Sequence, residues 1–287
     1  MRKGPPITRR GFLKLLGIAA LDLFLLGIGG VGYGILTEPN SFNVETVRLK
    51  LPRLARSFSG LRVAQISDIH MGGWMNAARL RQVSDLVLAQ NPELLFITGD
   101  FLIGRNALAI SPEEVQSLIL ELSRLSTSFP TFAVLGNHDY WTDVEMVRHI
   151  LASSGITELT NAVCTLKRGQ HSLHVCGVDD IWEGAPRLDE VTAQLSDNGA
   201  AILLAHEPDF ADTSAATGRF DLQLSGHTHG GQFWPWNHFV RFQQPYTAGL
   251  HRLGGLWVYT SRGTGYWGPP KRFGAPSEIT RIRLIRR

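Results

Sequence analysis

The chain has 287 residues, of which 44% are hydrophobic and 18% charged, and its formal net charge is +3. That balance excludes a disordered or collagen-like chain and leaves room for one large or two small domains. The charge is slight and no stripe of clustered Lys and Arg is present, so specific nucleic-acid binding is not expected.

The first stretch reads as a leader. Thr8-Arg9-Arg10-Gly11-Phe12-Leu13-Lys14 resembles a twin-arginine export signal and precedes an apolar run from Leu15 to Leu36. At ~1.5 Å per residue, that run as a helix reaches about 33 Å, enough for a hydrocarbon core of about 30 Å. Asp22 interrupts it near the first turns, where a charge lies shallower and costs less than at the bilayer centre. Arg2, Lys3, Arg9, Arg10 and Lys14 all come before the run, so the positive-inside rule leaves the N-terminus in the cytoplasm and the rest on the external, periplasmic side. No small-x-small cleavage site precedes Glu38, which favours a retained anchor in the cytoplasmic membrane over a cleaved signal. Three parts are therefore expected: 1–37 as leader and membrane anchor, 38–60 as a linker and edge strand, and 61–287 as the main domain.

Within 38–60, Val44, Thr46, Val47, Leu49 and Leu51 alternate in part until Pro52 breaks the pattern. From Leu61 onward strands alternate with helices, which predicts an α/β or mixed-sheet domain. The run Leu61 to Ile66 ends in Ser67-Asp68-Ile69-His70, a helical pattern covers Met75 to Ala89, and Leu94 to Thr98 ends in Gly99-Asp100. Ser111-Pro112-Glu113-Glu114 is a helix start, with Ser as cap and Pro at the first position. Thr131 to Leu135 then ends in Gly136-Asn137-His138-Asp139, and Thr142-Asp143-Val144-Glu145 opens another helix.

Ala162 to Lys167 and Ser172 to Val178 read as a hairpin around Arg168-Gly169-Gln170, with the two cysteines, Cys164 and Cys176, one in each strand. In an exported protein they could face each other as a disulfide, but cross-strand geometry is often unfavourable and buried free thiols are the expectation. Ala201 to Leu204 ends in Ala205-His206, and Leu222 to Leu224 ends in Ser225-Gly226-His227-Thr228-His229. Gly230 to Phe239 and Tyr266 to Arg272 read as aromatic loops, with closing strands at Leu256 to Thr260 and Ile279 to Leu284.

Hydrophobic runs that repeatedly finish in Asp, His or Asn are a costly way to build a core, because buried polar groups need partners. In an open α/β sheet the carboxyl ends of strands are where ligands bind, so these residues are expected to converge on one edge. Asp68, His70, Asp100, Asn137, His206, His227 and His229 supply seven O and N ligands. That is too many for one tetrahedral ion and suits two divalent ions bridged by Asp100, with Mn, Fe, Zn and Co all compatible. Such a pair can hold a phosphate oxygen and activate a water for in-line attack. His138 is left to donate a proton to the departing oxygen, with Asp139 orienting its imidazole.

The ordered set Asp68-x-His70, Gly99-Asp100, Gly136-Asn137-His138-Asp139, His206 and Gly226-His227-Thr228-His229 resembles the calcineurin-like metallophosphoesterase superfamily. With the arginine-paired leader, it most resembles the bacterial membrane-associated YkuE/YaeI-type branch. The resemblance implies a four-layer αββα sandwich. It also implies one metal on Asp68, His70, Asp100 and His229, a second on Asp100, Asn137, His206 and His227, and His138 near the scissile phosphate.

The expected function is a membrane-anchored, two-metal phosphohydrolase, most simply a phosphodiesterase, acting on a phosphate ester that is lipid-linked or nucleotide-linked. Some relatives of the branch hydrolyse the pyrophosphate of UDP-2,3-diacylglucosamine, which is one alternative; a non-catalytic metal-binding interaction module is another. Arg262 and Arg272 are candidates for phosphate contact, since a guanidinium fork matches phosphate oxygens, with a structural salt bridge as the competing reading. Trp234 and Trp267 are candidates for an apolar substrate wall, with a minicore under long loops as the competing reading.

Overall fold

The computed structural model describes residues 9, 16, 17, 20–22, 24, 27, 29, 30, 32–34, 37–104, 110–196, 198–233, 235–266, 268 and 271–287. Most of the expected leader lies outside the described residues, as do Trp234 and Trp267. Among the described residues no helix is long and apolar enough to cross a membrane.

Two mixed six-stranded sheets make up an α/β fold. The first contains, in spatial order, β1 (Phe42–Leu51), β12 (Ser277–Arg286), β2 (Arg62–Ile66), β3 (Leu94–Thr98), β4 (Thr131–Val134) and β5 (Thr157–Glu158). The second runs β10 (Gly249–Leu253), β11 (Leu256–Thr260), β9 (Leu222–Ser225), β8 (Ala200–Leu204), β7 (His171–Gly177) and β6 (Ala162–Arg168). β2, β3, β4 and β5 are parallel to one another, and so are β7, β8, β9 and β11. Each set therefore presents its carboxyl ends along one edge.

The strands at the centre are apolar on both faces because both faces are covered. Phe96, Val134 and Leu94 from the first sheet meet Val175, Ile202 and Leu224 from the second in a core between the sheets. Ile66, Leu95 and Ile97 pack outward against the helices Ala77–Ala89, Pro112–Ser126 and Val144–Ser153. Cys176, Ala201 and Leu203 pack outward against Leu188–Ala193 and Ala211–Ala216. The layers are thus helices, sheet, sheet and helices. Local signals act as their chemistry dictates: the Ser111 hydroxyl accepts from Glu114 N and Glu114 answers with the Ser111 amide, a complete capping box.

Two details sharpen the sequence reading. β1 lies at the sheet edge, but it pairs with β12 over its whole length, and Leu49, Leu51, Leu54 and Phe58 are buried between the sheets. It is thus an integral edge strand of the first sheet. Cys164 pairs with Val175 and Cys176 with Val163, so the register is offset by one residue and the thiols lie on opposite faces. Cys164 packs toward the inter-sheet core and Cys176 toward the outer helices, and both are free.

Candidate metal centre

The carboxyl edges of the two sheets meet at one place. The loops after β2 and β3 run side by side beyond the strand ends, Asp68 N donating to Gly99 O at 3.0 Å and His70 N to Asp100 O at 3.0 Å. Below them Gln65 ties the sheets together, its Nε2 donating to Thr98 Oγ1 at 3.1 Å and Ser225 O at 3.0 Å. Asp68, His70, Asp100, His227 and His229 all adopt positive φ between 51° and 70°. The left-handed region costs a non-glycine residue about 1–3 kcal/mol, and such strain persists where surrounding structure holds it, most often at functional sites. Here it turns each side chain back over the sheet edge. Gly136 has no room for a side chain, since a Cβ there would stand 2.3 Å from Asp100 Oδ1.

Asp68, His70, Asp100, Asn137, His206 and His229 are all buried. Asp68, His70 and His229 bring ligand atoms within 4.8 Å of one another, as do Asp68, Asp100 and His206, and His70, Asp100 and His138. His227 Nδ1 lies 3.1 Å from Asn137 Oδ1. All seven residues expected as ligands thus gather at this edge, contributed by both sheets.

Hydrogen bonding sets the imidazole tautomers. His206 Nδ1 lies 2.7 Å from Thr98 O, and His70 Nδ1 3.3 Å from Leu102 O. A carbonyl accepts only, so Nδ1 carries the proton and Nε2 presents its lone pair inward. His206 Nε2 is buried without a hydrogen bond, although Asp100 Oδ2 is 3.2 Å away. A carboxylate and an imidazole nitrogen this close need a positive charge between them, a proton in the metal-free chain or a metal ion. The residues fit a divalent metal.

Electrostatics agree. Burial pushes Asp68 up to about 7 and lowers His70 and His227 to about 3. Burial opposes a charge on Asp100 too, but His206 and the other imidazoles hold it well below the ordinary carboxylate range. Burial likewise opposes a charge on His206, and Asp100 raises it well above the usual imidazole value. Carboxylates packed this closely with the His70 and His227 imidazoles, which burial keeps neutral, form a site for positive charge away from water.

His138 lies on the wall of a cleft of about 290 Å³ that is also lined by Asp100, Asn137, His227, Trp141 and Trp182. Its Nδ1 lies 2.7 Å from Ile103 O, so that carbonyl orients the ring. Asp139, expected to do so, instead accepts backbone N–H bonds from Asp100, Phe101, Leu102 and Gly136. It staples the β3 loop to the β4 loop.

The two arginines expected at the phosphate face elsewhere. Arg262 is paired with Glu45 at 2.6 Å and Glu278 at 3.0 Å. Arg272 is fully buried and donates to the carbonyls of Arg262, Gly263, Gly265 and Ala275, behind His229. Loop carbonyls this far from water need a donor, and the guanidinium supplies it. Neither residue lines the cleft.

Sequence reasoning missed the walls. The Trp141 ring lies tilted against His138 with centroids 4.7 Å apart and Trp182 lies 4.3 Å edge-on to His227, so both indoles line the cleft. Asp180 holds the Trp182 turn, its Oδ1 accepting from Trp182 N and Glu183 N. The run ending Val178-Asp179-Asp180 carried the same apolar-to-acidic signal as the other strand ends.

The family model of calcineurin-like phosphoesterases matches residues 61–231. The chain belongs to that family. An uncharacterized metallophosphoesterase of Bacillus subtilis, YkuE, is 31% identical over 97% of this chain and 98% of its own. A phosphodiesterase of Escherichia coli, YaeI, is 28% identical over 97% of this chain and 100% of its own. A transmembrane protein with a metallophosphoesterase domain from Danio rerio is 31% identical over 88% of this chain and 59% of its own. With its buried Asp and His clusters, this chain is a metallophosphoesterase.

Proposed function

We propose that this metallophosphoesterase is a phosphodiesterase with two divalent ions, held in a membrane by its leader with the domain on the external side. The observation that carries the catalytic reading is the shared cleft, where Asp100, Asn137 and His227 line the same wall as His138. The similarity to the E. coli phosphodiesterase supports diester over monoester, and the apolar run with its arginine-paired start supports the anchor.

Asp68, His70, Asp100 and His229 would hold one ion, and Asp100, Asn137, His206 and His227 the other. When bound, divalent ions here supply charge for the phosphoryl oxygens and lower the pKa of an attacking water; Mn, Fe, Zn and Co all suit the ligand set. The Thr98 and Leu102 carbonyls keep the His206 and His70 lone pairs pointing inward. His138, steadied by Ile103 O, delivers a proton from Nε2 to the leaving oxygen. Trp141 and Trp182 line the cleft, so the leaving group passes beside their indoles. The test is hydrolysis of bis-p-nitrophenyl phosphate by the metal-loaded chain, with a fused reporter after Arg287 to read the side of the membrane.

A further inference from the structure

The cleft opens beside an unusual surface. The helix Trp236–Gln243 contributes Val240 to the wall, and Gln244 at its end adds another lining residue. Its Phe239 and Phe242 are 60% and 87% exposed and do not line the cleft, while Trp141 and Trp182, at the mouth, are 47% and 53% exposed. Two large aromatics exposed on this helix, with two more at the cleft mouth, exceed the scattered apolar residues ordinary on a soluble surface. Arg241, in the last turn of the same helix, is exposed.

The apolar leader ends against the same part of the domain: Gly34 O accepts from Arg272 N at 3.0 Å, and the Tyr33 ring meets Phe273 edge-on at 6.5 Å. Phe273 in turn pairs with Phe233 through a β-bridge and a ring contact of 5.9 Å. Trp236, where the aromatic helix begins, follows Phe233 by three residues, a reach of at most about 11 Å. The point where the leader joins the domain and the rim of the cleft are therefore neighbours.

We propose that the helix beside the cleft lies on a lipid bilayer, with Phe239 and Phe242 entering the headgroup region, and that the substrate is a phosphodiester whose apolar part stays in that bilayer. The substrate class rests on the phosphodiesterase reading above, and the docking on the membrane anchor. Amphipathic aromatic helices with a basic residue bind this way, their apolar face sunk into the headgroup boundary and the cation at the phosphates. A cleft facing the bilayer receives a lipid-borne phosphate without lifting the chain it carries into water.

The test uses the full chain in vesicles of phosphatidylethanolamine and phosphatidylglycerol. Phe242→Trp places a reporter on the aromatic helix, and His171→Trp, at the exposed start of β7 away from the carboxyl edge, serves as control. Brominated phospholipid is expected to quench the emission added by Phe242→Trp and to leave that added by His171→Trp unchanged. Equal quenching of both, or of neither in a chain that floats with the vesicles, would overturn the docking; a chain that does not float with them would overturn the anchor instead.

The paired change Phe239→Ser with Phe242→Ser is then expected to leave hydrolysis of soluble bis-p-nitrophenyl phosphate unchanged. It should lower hydrolysis of the p-nitrophenyl ester of phosphatidic acid in vesicles by about tenfold or more, from the lost apolar burial. Equal effects on both substrates would overturn the lipid substrate class. A wild-type chain inactive on both would overturn the phosphodiesterase reading instead, and the quenching would still decide the docking.

Discussion

His70 Nε2 and His229 Nε2 lie 3.1 Å apart, although His70 follows β2 of one sheet and His229 follows β9 of the other. Burial lowers His70 to about 3 and, with His70 and Arg272 alongside, takes His229 well below the ordinary imidazole value. Two neutral rings confronting each other across a sheet junction are arranged for a shared cation.

His138→Ala is expected to retain both metals, because the proposed ligands are other residues, and to lose turnover about 10²–10⁴-fold, the usual contribution of a positioned proton donor. Metal analysis alongside kcat measures it. A variant with full metal content and unchanged kcat would remove His138 from the mechanism.

Asp139→Asn should damage the site from behind. Its carboxylate accepts backbone N–H bonds from Asp100, Phe101, Leu102 and Gly136, and an amide offers one acceptor oxygen where the acid offers two. A buried donor left unsatisfied costs about 1–3 kcal/mol, so thermal unfolding should come earlier and metal occupancy should fall. Unchanged Tm and occupancy would contradict the stapling role.

Metal uptake should release protons, more so in acid. Burial holds Asp68 at about 7 in the metal-free chain, so below that pH it is mostly protonated and must lose its proton to become a ligand. His206, raised above the usual imidazole value by Asp100 despite its burial, adds to the release. Calorimetry at pH 6 in buffers of different ionisation enthalpy should show at least about one proton released per chain, with affinity weakening as pH falls. Buffer-independent heats would contradict this.

Cys164 and Cys176 face opposite sides of their hairpin, so reducing agent should leave Tm unchanged. In denaturant both thiols should react with a maleimide without prior reduction. A mass lower by two hydrogens would show that the register offset does not hold.

The strand ends were legible because buried strands have few reasons to finish in carboxylates and imidazoles, and the pattern repeated from Asp68 to His229. The pairing of β1 with β12 was not, since Phe42 meets Ser277 across nearly the whole chain and no local signal encodes so distant a partner. The helix Trp236–Gln243 read as a loop because Gly230-Gly231 and Pro235 dominate its approach, yet Pro235 stands at the N-cap, where it interrupts no helical hydrogen bond. Trp141 and Trp182 gave no periodic pattern; they matter only through His138 and His227, which the fold sets beside them. Arg262 and Arg272 misled because a guanidinium suits a phosphate and a cage of carbonyls equally well.

The most direct measurement is hydrolysis of bis-p-nitrophenyl phosphate by the full chain loaded with Mn, Fe, Zn or Co, set against p-nitrophenyl phosphate and against Asp100→Ala. Asp100 faces both His70 and His206, at 3.6 and 3.2 Å, so its loss should empty the centre. Metal-dependent turnover of the diester, faster than the monoester and abolished in the variant, is the predicted result. A fully metal-loaded chain that hydrolyses neither ester, or an Asp100→Ala variant as active as the wild type, would contradict the two-metal phosphodiesterase.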